Sequence, residues 1–571
     1  MLPGENPNRP RGSEVALTIA AGNAAQEIER QGSAVTGSEF DLVVAGTGAA
    51  GLAAALTAAG RGLSVCLLEK GRQIGGGTAT SYGTLWVPDN ALAREAGLPD
   101  SFAQGLAYAQ HSAGGAGLAA SLETYVREAP RALDCLRSHG VAFQLAMGLP
   151  EAFHPAAPGS WPDGRRMVEP APIGRAALGP WADALRPAYY MPPGVSWGDV
   201  ARWGGFANRR NWDQQELARR ERDGLLGAGQ ALVAQLLVAC LKLGVTLRLG
   251  QGVTRLLVED GRVCGVYTGD DAPALRARSG VVLATGGYEG NADLVRRFEG
   301  LPDWLNAFSP TNEGDGMIIA TELGAAVYRL PVNHGLLVGC AIPQRGDEFF
   351  SIGLHGMPYP GAIAVNRRGR RFCDESRFQE VVHAFHHFDS VEHRLTNLPA
   401  WMVFDEHYRQ HYSIAGAPPG DPAPPWVTRA GSLADLAHGI GVDAEGLRQT
   451  VSTFNGFVAA GEDREFGRGR SAFSRSTAGD AQASNAQLGA LDTPPYYAIR
   501  LRVGGIVSAG VLVNEHGGVV HVRGHAIPGL YACGNTAAPT DTGVGYQGGA
   551  SIGSGMIFGF LAAEHAARRG G

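Results

Sequence analysis

The sequence predicts an α/β protein whose Rossmann-like domain is split in sequence by an inserted α+β domain. Residues 40–71 read as a buried strand, a glycine-rich turn, a helix and a second strand. Apolar strands that end in glycine recur at 279–291 and 527–539, far along the chain. Between these two, residues 331–487 form a separate block that includes a helix-like segment. A chain that leaves and re-enters one domain explains this order.

Four segments follow from these observations. A chain of 571 residues is too long for one ordinary core, so two domains are expected. We expect residues 1–39 to be an N-terminal tail and residues 40–330 to be the first part of the Rossmann-like domain. Residues 331–487 are the predicted inserted domain, and residues 488–571 the second part of the first domain. Residues 151–212 are rich in aromatic residues and predict a long functional loop.

Composition excludes several classes of protein. Hydrophobic residues make up 44% and charged residues 18%, which is typical of a soluble globular protein. A net charge of −6 gives no electrostatic argument for binding nucleic acid. No apolar run reaches the roughly 18 residues of a membrane span. The seven cysteines are scattered, with no CxxC pair, so we expect no structural metal, no disulfide framework and a cytoplasmic location.

The first glycine-rich turn predicts a dinucleotide site. Gly46, Gly48 and Gly51 form a full G-x-G-x-x-G between the first strand and an alanine-rich helix. Gly46 permits the tight turn, Gly48 lets the backbone approach a pyrophosphate, and Gly51 lets the helix pack on the strand. The N-terminus of the helix faces the phosphates. Glu69 ends the second strand, where it can accept hydrogen bonds from ribose hydroxyls.

A second loop of small residues extends the predicted site beyond a dinucleotide. It contains Gly75, Gly76, Gly77, Thr78, Ser81 and Gly83. NAD domains need no such loop, whereas the sequence here is similar to the succinate dehydrogenase and fumarate reductase flavoprotein superfamily. The resemblance implies FAD, with the ribityl chain and flavin lying along this loop. Members with covalent flavin carry a histidine here, and this chain has none, so we expect noncovalent FAD.

Three later turns complete the predicted FAD-binding domain. One ends the strand at Ala284, Thr285 and Gly286, the next opens a helix at Asp315, and the last closes a strand at Gly534 and Asn535. The full set of predicted cofactor residues is Gly46, Gly48, Ala49, Ala50, Gly51, Glu69, Lys70, Gly75, Gly76, Gly77, Thr78, Ser81, Gly83, Val253, Ala284, Thr285, Gly286, Asp315, Gly534, Asn535, Ser551 and Ile552.

Motifs spread over most of the chain narrow the resemblance. The segments are "GRRFCDES" (369–376), "FGRGRSAF" (466–473), "TPPYYAIRL" (493–501) and "YQGGASIG" (546–553). Together they resemble the 3-ketosteroid dehydrogenases of the Δ1 and Δ4 types. The C-terminal loop lacks the histidine and arginine of fumarate reductases, which counts against a dicarboxylate substrate.

The resemblance implies desaturation of a cyclic ketone at its α,β carbons. A base takes the α-proton, the β-hydride goes to flavin N5, and donors to the carbonyl oxygen stabilise the developing charge. Tyr546 and Gly549 match the positions that bind the carbonyl. The substrate is then a small hydrophobic cyclic ketone, either a 3-oxosteroid or a monocyclic cyclohexanone-like ring. A quinone or another carrier would accept the electrons.

The base is harder to assign, because the chain departs from the family pattern. The tyrosine expected after "ES" is missing, and Phe153-His154 stands where a supporting tyrosine is expected. Tyr190 in the aromatic-rich segment is the predicted replacement, with His154 and Tyr359 as rivals. Arg377 is a candidate proton donor as in the reductase branch. Two alternatives stay open: an enone or enoate reductase like fumarate reductase, and a flavin-binding relative without catalysis.

Overall fold

The structure is a computed structural model. It describes residues 38–151, 154, 156–188, 191–333, 335–353, 355–471, 475, 478–545 and 547–569. Two predicted catalytic residues, Tyr190 and Tyr546, lie outside the described residues, as does nearly all of the predicted tail.

An eight-stranded sheet forms the centre of the first domain. Its core pairs are parallel: Glu39–Ala45 lies between Leu275–Leu283 and Val65–Glu69, and the sheet continues outward to Ala526–Ala532 and Thr246–Leu249. The central strand carries Leu42, Val43 and Val44 with no exposed surface, as expected for a sheet covered on both faces. The remaining strands are Gly518–Val520, Arg255–Glu259 and Arg262–Tyr267. The predicted α/β fold with a parallel sheet is confirmed.

Small residues let the helices of this domain pack closely. The first helix, Ala49–Ala59, is almost entirely buried between the helices Ala228–Lys242 and Ala550–Arg569. A methyl group on Gly559 would lie 2.5 Å from the backbone oxygen of Ala50. This close approach is why the C-terminal helix, although more than 490 residues away, packs against the first glycine turn.

The inserted block has its own sheet and two cores. Strands Ala362–Asn366, Ala400–Asp405, Tyr496–Arg500 and Thr428–Ala430 form an antiparallel sheet. Alternate residues of Ala362–Asn366 belong to different clusters: Ile363 and Val365 pack with Leu447 and Phe454, and Ala362 and Ala364 pack on the opposite side. That alternation is the period of two that a sheet requires when both faces are covered.

Residues beyond 487 also join the inserted block. Tyr496–Arg500 pairs with Ala400–Asp405, and Arg502–Gly505 pairs with Leu336–Ile342, whose other neighbour is Glu348–Ser351. Residues 496–505 therefore pair with strands of the predicted block 331–487.

The aromatic-rich segment 151–212 contains regular structure. Its strand Met167–Pro170 pairs with Leu85–Trp86 and Phe143–Leu145. It continues through Ile173–Gly174, paired with Leu225–Leu226, a 3₁₀ segment Arg175–Ala184, the helix Trp197–Arg202 and a second 3₁₀ segment Phe206–Asn211.

The other elements connect these layers. Further helices span Gly76–Ala79, Ala91–Glu95, Phe102–Ser112, Ala119–Ser138, Gln214–Arg222, Ala292–Phe298, Asp315–Glu322, Phe378–Phe385, Glu406–His411, Leu433–Ile440 and Ala444–Ala460, with 3₁₀ turns at Pro343–Arg345 and Gly534–Thr536. Short strands span Val327–Arg329, Ala509–Val511, Phe388–Asp389 and Arg394–Leu395. Within the part of the chain that the structure describes, no helix is long and apolar enough to cross a bilayer.

Candidate active site

One cavity runs from the first glycine turn to the inserted domain. All of the predicted cofactor residues line it except Gly51, Gly75 and Gly76. Gly51 and Gly75 contact the turns behind the lining. A methyl group on Gly51 would lie 2.0 Å from the backbone oxygen of Gly46, and the backbone N–H of Gly75 donates to the hydroxyl of Thr47. A methyl group on Gly76 would meet no atom within 4 Å.

The first turn has the geometry of a phosphate cradle. Gly46 has φ = +111°, and a methyl group there would lie 2.1 Å from the backbone oxygen of Ala284. Gly48 precedes the helix Ala49–Ala59 and caps it without a side-chain hydrogen bond. The N-terminal turn of this helix therefore opens on the cavity, where its backbone N–H groups and dipole favour a pyrophosphate.

Two predicted residues hold the nucleotide end together. Glu69 accepts hydrogen bonds from the hydroxyl and the backbone N–H of Thr47 and, at 2.8 Å, from the backbone N–H of Gly71. Lys70 donates to Asp315 at 2.9 Å and to Glu313, so its charge is paired. Burial acts to lower the pKa of Lys70, but the two carboxylates outweigh it and raise the pKa. These contacts hold the end of the strand Val65–Glu69 against the helix Asp315–Glu322.

A buried carboxyl group supports the cavity wall from behind. Oε2 of Glu289 accepts a hydrogen bond from Nδ2 of Asn312 at 3.1 Å, while its Oε1 is buried without a hydrogen-bond partner. Burial raises the pKa of Glu289 to about 7, although the hydrogen bond from Asn312 acts to lower it. Asn312 lines the cavity. The charge state of this wall can therefore change near neutral pH.

The far end of the cavity is apolar and aromatic. It is lined by Leu149, Pro150, Met167, Trp197, Leu337 and Ile506. Tyr82 also lines it, with its ring centroid 4.2 Å from that of Trp197. Of the described lining residues, Lys70 is the one cation, and it lies at the nucleotide end. A neutral, apolar ring fits this end, whereas a carboxylate would meet no cation among the described residues that line it.

Gly549 lines this cavity, as the predicted carbonyl-binding position requires. Its φ is +84°, and a methyl group on it would lie 2.6 Å from the backbone carbon of Leu85. Its own carbonyl accepts from the backbone N–H of Trp86 at 3.2 Å. The neighbouring Gln547 is fixed by the hydroxyl of Tyr108 and by Sδ of Met167. These contacts hold the C-terminal glycine turn against the strand Leu85–Trp86.

The described candidates for the base lie away from the cavity lining. Tyr359 is buried against Tyr412, with ring centroids 5.0 Å apart. Burial, helped by the charge of Arg377, lowers the pKa of His154 to about 4. Arg377 itself forms an ion pair with Glu380 at 2.7 Å. The cavity does not bring these groups together with Gly549.

Sequence reasoning missed Tyr82, although its position carried a signal. It stands between Ser81 and Gly83, both predicted to contact the cofactor. Its hydroxyl lies 2.6 Å from Nε2 of His355, which comes from the inserted block. Burial, with a contribution from Arg209, lowers the pKa of His355 to about 3, so its imidazole is neutral at pH 7.

Three features together define a protein that binds a flavin dinucleotide. They are the parallel sheet, the helix terminus that faces the cavity, and a cavity lining that continues well beyond that terminus. The chain belongs to the FAD binding domain family, which matches residues 41–555. It is an FAD-dependent oxidoreductase, as the sequence predicts. Among the described residues, no group of histidine, cysteine, aspartate or glutamate side chains is arranged to hold a metal ion.

Similar proteins share nearly the whole chain. A 3-oxosteroid 1-dehydrogenase of Mycobacterium tuberculosis is 34% identical over 94% of this chain and 100% of its own. A 4-oxocyclohexanecarboxylate 2-dehydrogenase of Sinomonas cyclohexanicum is 34% identical over 92% of each chain. The crystal structure of 3-ketosteroid Δ1-dehydrogenase from Sterolibacterium denitrificans, in complex with 1,4-androstadiene-3,17-dione, has a TM-score of 0.85 at 29% identity, covering 93% of this chain and 100% of its own. The predicted resemblance to 3-ketosteroid dehydrogenases is confirmed.

Proposed function

We propose that this protein desaturates a neutral cyclic ketone at its α,β carbons. The observation that carries the proposal is the apolar end of the cavity, which adjoins the glycine turn around Gly549. A hydrophobic ring that packs against Trp197 and Met167 can direct its carbonyl toward that turn. The backbone N–H of Gly549 and the hydroxyl of Tyr546 then donate to the carbonyl oxygen and stabilise an enolate.

Bound FAD supplies the acceptor for the hydride that leaves the β-carbon. The residues named in the first glycine turn would hold its pyrophosphate, and Glu69 would hold a ribose. No histidine or cysteine is among the described residues that line the cavity, which supports noncovalent binding. Acid precipitation should leave the flavin in the supernatant, and flavin that stays with the protein pellet would contradict noncovalent attachment.

The distribution of charged residues along the cavity indicates which cyclic ketones the protein accepts. Because Lys70 is paired and lies at the nucleotide end, a carboxylate on the ring would enter the apolar end unpaired. We therefore propose cyclohexanone or a 3-oxosteroid ahead of 4-oxocyclohexanecarboxylate. Steady-state assays with all three and an artificial electron acceptor test the order. Turnover with none of them would contradict the proposed function, and a preference for the carboxylate would contradict the charge argument.

The reductase alternative is tested by the direction of electron flow. Anaerobic addition of a saturated ketone to the oxidised holoprotein should bleach its visible flavin absorbance. A protein that instead oxidises its reduced flavin only with an enone or fumarate would be a reductase. We further propose a quinone or another carrier as the electron acceptor, and a reducing cytoplasm as the location, which the seven free cysteines support.

A further inference from the structure

A tyrosine–histidine pair joins the cavity lining to the inserted block. Tyr82 follows the short helix Gly76–Ala79 in the first domain, and His355 lies in the inserted block, 273 positions away in the chain. The hydroxyl of Tyr82 and Nε2 of His355 are 2.6 Å apart. Such a short O···N distance is that of a strong hydrogen bond.

Aromatic rings enclose this pair. The ring of Tyr82 packs on Trp197, and the ring of Phe206 meets the imidazole of His355 edge-on, with centroids 4.2 Å apart and an interplanar angle of 89°. Arg209 is close enough to lower the pKa of His355, but burial is the larger cause. A neutral imidazole whose Nε2 carries no proton accepts a hydrogen bond from the tyrosine hydroxyl.

Buried hydrogen bonds hold the segment that carries His355. Nη2 of Arg468 donates to the backbone oxygens of Met357 and Tyr359 at 3.2 and 2.9 Å. The hydroxyl of Tyr408 donates to the backbone oxygen of Gly356 at 3.1 Å. The guanidinium of Arg468 is fully buried and ion-paired with Glu375. The imidazole therefore sits on a fixed support, as a proton-transfer partner requires.

We propose that Tyr82 is the catalytic base of the desaturation and that His355 is its proton relay. This inference rests on the proposed function. The C–H bond at the α-carbon breaks and its proton forms an O–H bond with Oη of Tyr82. In the same step the original hydroxyl proton of Tyr82 passes to Nε2 of His355. The electron pair of the C–H bond stays on the substrate and becomes the new double bond as the β-hydride leaves to FAD.

The pairing with His355 lets the hydroxyl of Tyr82 act as a base at pH 7, which a lone tyrosine does poorly. A phenol with a pKa near 10 is a poor base at pH 7 unless its own proton can leave at the same time. Nε2 of His355 takes that proton without solvent entering the apolar end. The buried imidazolium is costly by itself, but it forms together with the negative charge on the enolate. After the product leaves, the proton taken from the substrate passes from Oη of Tyr82 to solvent in the opened cavity, and the proton on Nε2 of His355 returns to Tyr82.

Exchange of α-deuterium isolates the proton step from hydride transfer. Dithionite-reduced holoprotein cannot accept a hydride, but its base can still exchange the α-deuterium of bound ketone with solvent. The probes are 2,2,6,6-tetradeuterated cyclohexanone and a 3-oxosteroid deuterated at its α-carbons, followed by NMR. We expect Tyr82→Phe to lower both exchange and turnover by about 100-fold or more, with FAD content unchanged.

Two further variants distinguish the loss of the proton relay from a structural effect of the substitution. His355→Gln keeps an acceptor for the hydroxyl but cannot take its proton, so exchange and kcat should fall about tenfold or more with KM little changed. Tyr531→Phe removes the hydroxyl of another tyrosine–histidine pair, Tyr531 with His565, which does not line the cavity. It should retain exchange within about threefold. Equal losses in Tyr531→Phe and Tyr82→Phe would make the effect structural and overturn the proposal.

The outcomes distinguish this inference from the proposed function. If the wild type neither desaturates nor exchanges either ketone, the proposed function itself fails. If the wild type does both and Tyr82→Phe does both at similar rates, only the base assignment fails. Exchange that is lost in Tyr190→Phe but kept in Tyr82→Phe would likewise overturn it.

A nearly isosteric substitution covers the case in which Tyr82→Phe loses its fold or its FAD. Difluorotyrosine at position 82 has a more acidic phenol, so the pH–rate profile of exchange should move to lower pH. An unchanged profile would overturn the proposal.

Discussion

Arg371 and Glu375 form a two-pronged ion pair in the inserted domain, with Nε–Oε1 and Nη2–Oε2 distances of 2.8 Å each. Neither side chain has exposed surface. Asp463 is a second buried partner of Arg371 at 2.9 Å, and Arg468 lies 3.3 Å from Glu375. Charges in such surroundings are stable only while every partner remains, because an unpaired buried charge cannot be solvated.

Removing Arg371 should therefore destabilise the protein strongly. We expect Arg371→Met to lower the free energy of unfolding by about 3–5 kcal/mol, since it removes the buried cation paired with Asp463 and leaves Glu375 with Arg468 alone. The matched control is Arg448→Met, which breaks the exposed pair with Glu445 and should cost less than about 1 kcal/mol. Urea unfolding followed by tryptophan fluorescence measures both. Similar losses in the two variants would show that the buried network adds nothing.

Contacts between distant segments show why the sequence predicts the first glycine turn better than other parts of the structure. The first glycine turn and its acid lie within one strand–helix–strand unit, so local spacing predicts them. The "GRRFCDES" and "FGRGRSAF" segments meet through Arg371, Glu375 and Arg468 only after folding, because 93 positions separate Glu375 from Arg468. Tyr82 and His355 are 273 positions apart. No local pattern marks such a pair, so the sequence predicts Ser81 and Gly83 as cofactor residues but does not predict that Tyr82 meets His355.

Strand pairing shows the same limit. Tyr496–Arg500 pairs with Ala400–Asp405 across about 95 positions, and the order of motifs along the chain does not predict this contact. Order along the chain indicates which segments exist, but hydrogen bonding between strands decides which sheet each one joins.

Gly46 should be essential for FAD binding. A methyl group there would lie 2.1 Å from the backbone oxygen of Ala284, in a turn with φ = +111°. We expect Gly46→Ala to be purified with little or no flavin, as measured by its visible absorbance. Gly62→Ala is the control, because Gly62 has φ = +83° but no atom within 4 Å of an added methyl group. It should retain FAD and lose about 1–2 kcal/mol of stability. Equal flavin content in the two variants would contradict the steric argument.

Glu289 should make stability depend on pH. Because the folded protein raises the pKa of Glu289 to about 7, its protonated form is favoured by folding. The corresponding stability is present below the usual pKa of 4.5 and is lost as the pH rises through about 7. The change corresponds to about 3 kcal/mol at most. Glu289→Gln keeps an acceptor for Asn312 but cannot ionise, so it should not show this loss.

The measurement for Glu289 is urea unfolding at pH 5 and pH 8. The stability of Glu289→Gln relative to the wild type should rise between the two values. Glu322→Gln removes an exposed carboxylate and serves as the control for the change in net charge. A relative stability of Glu289→Gln that stays constant from pH 5 to pH 8 would mean that the buried carboxyl group does not titrate in this range.

Tyr546 should be required for turnover but not for FAD binding. The sequence places it in the glycine turn that carries Gly549, and Gly549 lines the apolar end of the cavity. If its hydroxyl donates to the ketone oxygen, Tyr546→Phe removes one of two donors to the enolate and should lower kcat by about 100- to 1000-fold. Flavin content and deuterium exchange separate the roles, because loss of the carbonyl donor slows exchange while the flavin stays bound. Tyr531→Phe is the control. The hydroxyl of Tyr531 lies 2.8 Å from Nδ1 of His565, and this pair does not line the cavity. Flavin-free Tyr546→Phe protein would instead assign this tyrosine to the support of the cofactor.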